Sequence, residues 1–446
     1  MPIPRLQYGF CPGNLIQFVV LVLMCALGKA RAGVLPLHTA HHWIVDAKGH
    51  RVKLAGVNWY GADNVEFSVG GMAYRPLAAI AHEVKAMGFN SVRIPWSNEL
   101  VETNPVVPDY ALAANPALKG KRALEVLDLT VDALAQEGVY TILDNHVSRA
   151  DWCCYEGDGN ALWHSPAYPE ERWLADWRFM AGRYKKQPAV IGADLRNELR
   201  FGAAWGGKDP AFDWHAAAER GGNAILAENP NLLIFVEGVD YALDLSGFAR
   251  LPVKLNTPNR VVYSPHAYSF SIRSVRGYED YIKAVQSKWA FLRQESDTPL
   301  WIGEFGTCQE PRCLDSSDPQ QEGFWFRNFI RFLRGTDLDW CYWPLNGTQL
   351  SGHTRRFGDL EDYGLLNRAY AGPASEEMLR LLQSVQRPTI TTAWETLTVS
   401  PAPRVSSAQP DWVQSVMAKA VLPLALIAMW KLRYAIKDNN TRENGG

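Results

Sequence analysis

The chain has 446 residues, of which 47% are hydrophobic and 21% charged, a composition that excludes a disordered chain and a wholly membrane-embedded one. Its 45 Lys and Arg stand against 47 Asp and Glu for a net charge of -2, so no global positive field draws a polyanion, which argues against nucleic acid as a partner. The length suffices for one large α/β barrel with a well-filled core.

Residues 1–32 carry Arg5, an apolar run over 15–27, and Ala30, Arg31 and Ala32 before Gly33. Basic start, short apolar run and small residues together predict a cleavable secretory signal peptide, with a secreted mature chain starting near Gly33. Residues 43–53 place Asp46, Ala47, Lys48 and Gly49 between apolar flanks, which predicts a small hairpin plugging the N-terminal end of the domain. From about residue 50 to 387, short apolar runs alternate with longer amphipathic stretches, the pattern of a parallel sheet built from βα units.

Eight strands are expected, at 52–58, 91–95, 140–145, 190–196, 232–237, 261–267, 300–305 and 340–345. Each is brief and apolar, as a strand covered on both faces must be. Helical patterns run over 76–87, 123–137, 171–186, 214–228, 278–295 and 321–334, two of them closing on Gly88 and Gly138. Eight βα repeats favour closure into a (β/α)8 barrel, and the first strand is not followed by the glycine fingerprint of a dinucleotide fold. The barrel is expected over 33–387. Residues 388–412 are rich in Pro, Ser and Thr and read as a linker. The segment 413–446 holds an apolar stretch, broken by Lys419 and Pro423, and a basic, polar end. It is read either as a membrane tether or as an amphipathic, docked helix.

Removal of the leader leaves Cys153, Cys154, Cys308, Cys313 and Cys341, an odd number in an oxidising compartment, so one thiol is expected to stay free. Cys308 and Cys313 are close enough to shut a small loop. Cys153 and Cys154 are adjacent and could each seek a distant partner; the sequence leaves the pairing open. None of these cysteines has zinc-site spacing, and no metal or organic cofactor is expected.

In a barrel, catalytic groups sit at the C-terminal ends of the strands. Asn58, Arg93, His146, Asn197, Glu198, His266, Tyr268, Glu304 and Trp343 fall at or just after such ends. Any one of these alone is more often a buried, hydrogen-bonded polar residue; the joint placement is what points to a site. Glu198 and Glu304 end the fourth and seventh strands, so closure brings two carboxylates across one pocket. Glycoside cleavage needs such a pair, one acid to protonate the leaving oxygen and one carboxylate to attack or to activate water. The chain also holds 17 Trp; Trp59, Trp96, Trp152, Trp163 and Trp205 lie in βα loops, where they either line sugar subsites or pack the loop core.

The motifs Arg196-Asn197-Glu198, Gly303-Glu304-Phe305, Val92-Arg93-Ile94-Pro95, Asp144-Asn145-His146 and Pro265-His266-Ala267-Tyr268, with Trp343, resemble glycoside hydrolase family 5, the cellulase-like retaining β-glycosidases, over roughly residues 35–387. The resemblance implies Glu198 as acid/base and Glu304 as nucleophile. It further implies that Arg93 and Tyr268 hold Glu304, that Asn197 binds the sugar 2-hydroxyl, that His146 and His266 position hydroxyls or tune the carboxylates, and that Trp343 stacks under the sugar that is cleaved. Leu199 stands where many members have Pro, which removes no catalytic group. Asp151 to Asn160 and the Leu345-Asn346-Gly347 segment resemble a plant and bacterial cellulase-like branch.

The expected function is therefore a retaining O-glycoside hydrolase acting on a β-linked polysaccharide or glycoconjugate, by default an endo-β-1,4-glucanase. Mannan, β-1,3-glucan and glycolipid are alternative substrates, and a catalytically silent carbohydrate-binding barrel is the alternative from another class.

Overall fold

The computed structural model describes residues 33–271, 278–319 and 321–388; the expected leader, linker and apolar tail lie outside them. The chain enters through a two-stranded antiparallel ladder, β1 (His38–Ala40) and β2 (Trp43–Val45). The expected hairpin over 43–53 turns at Asp46: Val45 bridges Arg51, Val52 N–H donates to Ile44 O at 3.0 Å and Asp46 N–H to His50 O at 2.8 Å, while Trp43 to Val45 also pairs backward with β1. The Asp46 carboxylate fastens the turn by accepting the backbone N–H groups of Val34, Lys48 and His50 at 2.9 to 3.1 Å.

The barrel strands are β3 (Ala55–Asn58), β4 (Ser91–Ser97), β5 (Tyr140–Val147), β6 (Val190–Asp194), β7 (Leu233–Glu237), β8 (Val261–Ser264), β9 (His266–Ala267), β10 (Trp301–Phe305) and β11 (Asp339–Tyr342). They are hydrogen-bonded in parallel in the order β8-β7-β6-β5-β4-β3-β11-β10-β9. β8 and β9 are two halves of one stave, interrupted at Pro265, which has no N–H to give a ladder. Tyr263 in β8 also bridges Leu300 ahead of β10, so eight staves close on themselves as the sequence predicts. Every residue of β4 and β5 is buried, the polar Arg93, Asp144, Asn145 and His146 among them.

Helices α1 (Leu77–Ala86), α2 (Asn98–Thr103), α3 (Ala123–Gln136), α4 (Glu170–Arg183) and α5 (Trp214–Glu228) follow the first four staves. In α3 the buried residues Leu124, Leu127, Val131 and Leu134 recur at three and four positions and form its inner stripe. Gly88 ends the first helical pattern at φ 93°, a left-handed conformation that suits glycine. The expected helix 278–295 is α6 (Tyr278–Val285), a wider π turn over Gln286–Ala290 and α7 (Leu292–Glu295). α8 (Glu322–Thr336) and α9 (Glu376–Gln383) complete the outer layer. Between β7 and β8 the described chain makes a 3₁₀ turn, Ser246–Ala249, rather than an α-helix.

At the N-terminal end Leu37, Ile44 and Leu54 pack with Ile142, Leu233, Phe235 and Trp301 from the strands. This apolar plug shuts one mouth of the barrel. The polar strand ends are left to the other. None of the described helices is long and apolar enough to cross a membrane.

Candidate active site

At the C-terminal mouth lies a cleft of about 620 Å³ whose lining includes His146, Asn197, Glu198, Tyr268, Glu304 and Trp343. Arg93 and His266 complete the set from just beneath it, so the eight residues to which the resemblance gives roles converge on one place. Arg93, on β4 and fully buried, is the organising charge. Its guanidinium lies 2.7 Å from Glu304 Oε1, 2.9 Å from Asp194 and Glu237, and 3.1 Å from Asp144. It also donates to Asn58 Oδ1 at 3.1 Å and Asn197 Oδ1 at 3.0 Å. Only a planar fork with five donors can serve so many acceptors at once.

Glu304, on β10, is held at both oxygens, by Arg93 on Oε1 and by the Tyr268 hydroxyl on Oε2 at 2.8 Å. Burial by itself raises its carboxyl, but the charges of His266 and Arg93, with the hydrogen bond from Tyr268, outweigh burial and hold it below the ordinary carboxylate value. Glu304 is therefore an oriented anion. Glu198 follows β6 in a left-handed conformation, φ 43°, with its N–H donated to Glu237 Oε2 at 2.7 Å. Its carboxyl is raised, first by burial and then by Glu304 and Glu237, against the opposing contact with His266. Of the two carboxyls, Glu198 is therefore the one that holds a proton more readily.

The two carboxyls are neighbours: one oxygen of each and a ring nitrogen of His266 lie within 4.8 Å of one another. His266 Nδ1 is 2.9 Å from Glu198 Oε1 and 3.7 Å from Glu304 Oε2, and its Nε2 is 3.3 Å from Glu237. Burial alone lowers this imidazole; Glu237, Glu304 and Glu198 outweigh burial and raise it well above the usual histidine value. His146 Nδ1 is 2.6 Å from Asp144 Oδ2, and its ring stacks on Trp343 at 5.5 Å and 9°. Trp343 stacks equally with Tyr60, at 5.4 Å and 14°, leaving an aromatic surface beside the carboxyls. The acidic group Asp144, Asp194 and Glu237 has metal-like spacing, but the Arg93 guanidinium already supplies its cation.

The sequence reading missed the layer beneath. Glu237, Asp144 and Asp194 carry as much of the geometry as the expected residues, and the first of them ends a predicted strand just as Glu198 follows one. Of the five loop tryptophans, Trp152 lines the cleft, whereas Trp59, Trp96, Trp163 and Trp205 are buried in the core. Their indole N–H groups explain part of this, since Trp59 donates to Gly70 O and Trp205 to Leu251 O, both at 2.8 Å. The cysteines need one correction. Cys308 pairs with Cys313 and Cys341 is free and buried, as expected. Cys153 and Cys154 instead pair with each other, because their loop folds over the cleft with both sulfurs beside Asn197 and no other described thiol within reach.

The sequence pattern of the family Cellulase (glycosyl hydrolase family 5) matches residues 45–349, a stretch that contains all eight staves. This chain belongs to glycosyl hydrolase family 5. It is 34% identical over 365 residues to an endoglucanase of Paenibacillus polymyxa, covering 78% of this chain and 87% of that one. Among solved family 5 structures, the catalytic domain of the major endoglucanase from Xanthomonas campestris pv. campestris superposes with a TM-score of 0.67 at 26% identity, over 78% of this chain and 99% of that chain. A cellotetraose complex of a variant endocellulase from Pyrococcus horikoshii gives 0.67 at 25% identity, over 79% and 98%.

Proposed function

We propose that the protein is an endo-acting, retaining β-1,4-glucanase in which Glu304 is the nucleophile and Glu198 the acid/base. The observation that carries this reading is the opposite tuning of two adjacent carboxyls, one held charged by Arg93, His266 and Tyr268 and the other raised by burial. In the first step a Glu304 oxygen bonds to the anomeric carbon while Glu198 gives its proton to the departing glycosidic oxygen. With the charge of Glu304 consumed, Glu198 becomes the stronger acid and is left as carboxylate. It then takes a proton from water, whose oxygen attacks from the face the leaving group left, opposite the Glu304 bond, and displaces Glu304 as carboxylate. Carboxyl oxygens that approach within 4.8 Å support the close spacing of retaining enzymes, roughly 5 to 5.5 Å, over the roughly 6.5 to 9.5 Å of inverting ones.

Arg93 and Tyr268 aim the nucleophile, and Asn197, which also touches Arg93, binds the sugar 2-hydroxyl. His266 bridges the two carboxyls, His146 positions a hydroxyl, and Trp343 supplies the stacking face. Besides the catalytic pair the cleft is lined by Tyr241, near Glu198, and by Trp152, beside Trp343, aromatic rings that support binding of more than one sugar and so cleavage within a chain. The names of the Paenibacillus, Xanthomonas and Pyrococcus proteins support a β-1,4-glucan over mannan, β-1,3-glucan or glycolipid. The leader-like residues 1–32 support export of a mature chain that starts near Gly33 and carries the catalytic barrel over 33–387. The deciding experiment is a screen of carboxymethylcellulose, glucomannan, laminarin and lactosylceramide with product analysis. Internal cleavage of carboxymethylcellulose at the highest specificity constant is expected; binding without release of reducing ends would replace the enzyme by a carbohydrate-binding barrel.

A further inference from the structure

The glycosidase mechanism leaves one group in the cleft without a task. Cys153 and Cys154 are bonded to each other and both line the cleft. Asn197 Nδ2 faces both sulfurs, 3.4 Å from Cys153 Sγ and 3.6 Å from Cys154 Sγ, while Asn197 Oδ1 accepts from Arg93 Nη2 at 3.0 Å. The carboxamide is thus fixed at both ends, by a guanidinium on one side and a disulfide on the other. The sulfurs also flank the acid, because both Sγ atoms and one Glu198 carboxylate oxygen lie within 4.8 Å of one another.

A disulfide in this position has properties that two thiols lack. It accepts weakly, donates nothing and does not ionise, so it leaves the Glu198 proton and the Asn197 donor to the substrate. Two thiols would be two donors, able to lose protons at about pH 8.5, and their sulfurs would separate from bonding to van der Waals distance. Asn197, Glu198 and the cleft are the neighbours on which that movement would act.

We propose that the Cys153–Cys154 disulfide is a positioning element of the catalytic centre, fixing the Asn197 carboxamide and walling Glu198, so that full turnover requires the oxidised pair. This rests on the roles assigned above to Asn197 and Glu198. The conversion to the slow form consumes two electrons and two protons. Dithiothreitol supplies both as it closes to its own cyclic disulfide, and the Cys153–Cys154 bond opens to two thiols. Oxidised glutathione reverses the exchange.

The test uses the full chain carrying Cys308→Ser and Cys313→Ser, so that the adjacent pair is the only disulfide among the described residues, with 4-nitrophenyl β-cellobioside as substrate. Dithiothreitol is expected to expose two additional thiols and to lower kcat by about 10²-fold, the cost of a misplaced catalytic group, with KM changed far less and kcat restored by oxidised glutathione. The same loss without reductant is expected of Cys153→Ser with Cys154→Ser; should that variant not fold by circular dichroism, the reduction experiment decides alone. A purely structural clamp would slow every background alike. Positioning through Asn197 instead predicts that Asn197→Ala is already slow and loses nothing more on reduction. Unchanged kcat with both new thiols counted overturns the proposal. Full activity of Asn197→Ala overturns the underlying assignment instead.

Discussion

Glu237, wholly buried at the end of β7, accepts the backbone N–H of Glu198 at 2.7 Å. This one bond holds the acid in its left-handed conformation and sets a carboxylate beneath it. Glu237 is among the charges that raise Glu198. Replacement by Gln keeps the acceptor and removes the charge, so the Glu198 carboxyl falls toward its ordinary value. Activity needs Glu198 protonated, and its alkaline limb therefore moves to lower pH in Glu237→Gln. A kcat/KM profile checks this; an unmoved alkaline limb contradicts it.

Tyr268→Phe tests the other carboxyl. The Tyr268 hydroxyl donates to Glu304 Oε2 at 2.8 Å and helps to lower that carboxyl against burial. Loss of a hydrogen bond to a charged group costs about 1.5 to 3 kcal/mol, so kcat should fall roughly 10- to 10²-fold. Activity needs Glu304 charged, and a raised carboxyl moves the acid limb of the profile to higher pH. Steady-state kinetics across that limb show whether both changes occur together.

These two variants also mark what the sequence could show. Glu304, Glu198, Arg93 and Tyr268 were legible because the βα alternation located the strand ends and the family motifs named the residues there. Strand periodicity foretold all eight staves, since each is short, apolar and covered on both faces. Glu237, Asp144 and Asp194 were not singled out, because a buried acid at a strand end carries no sign that it faces a particular guanidinium; only closure of the barrel brings it to Arg93. The Cys153–Cys154 pairing was hidden for a similar reason. Adjacent cysteines look as though they need distant partners until the fold shows that no other described thiol is near. Trp59, Trp96, Trp163 and Trp205 illustrate the converse, as loop position alone does not separate a sugar platform from a packed ring.

Arg93→Met should unfold the barrel more readily as well as slow it. Arg93 is the cation shared by Asp144, Asp194, Glu237 and Glu304, and its removal leaves buried acids uncompensated, a change that typically costs about 3 to 5 kcal/mol. Urea denaturation of the purified protein measures this. A variant within about 1 kcal/mol of wild type would show that the acids shed their charge without penalty.

Trp343→Ala removes the ring that stacks on His146 and Tyr60 and lines the cleft. An aromatic contact of about 0.5 to 1.5 kcal/mol predicts a fall of up to roughly tenfold in kcat/KM on cellotetraose, with Trp343→Phe retaining most of it. Equal losses in the two variants would point to packing rather than stacking on sugar.

The most direct test of the two-carboxylate account is Glu304→Ala assayed on 2,4-dinitrophenyl β-cellobioside with and without azide. A loss of roughly 10³-fold or more is expected without azide. With azide, whose nitrogen enters through the space left by the carboxylate, the rate should recover and the product should be the α-cellobiosyl azide. Wild-type activity in the variant without azide would contradict the assignment of Glu304 as nucleophile.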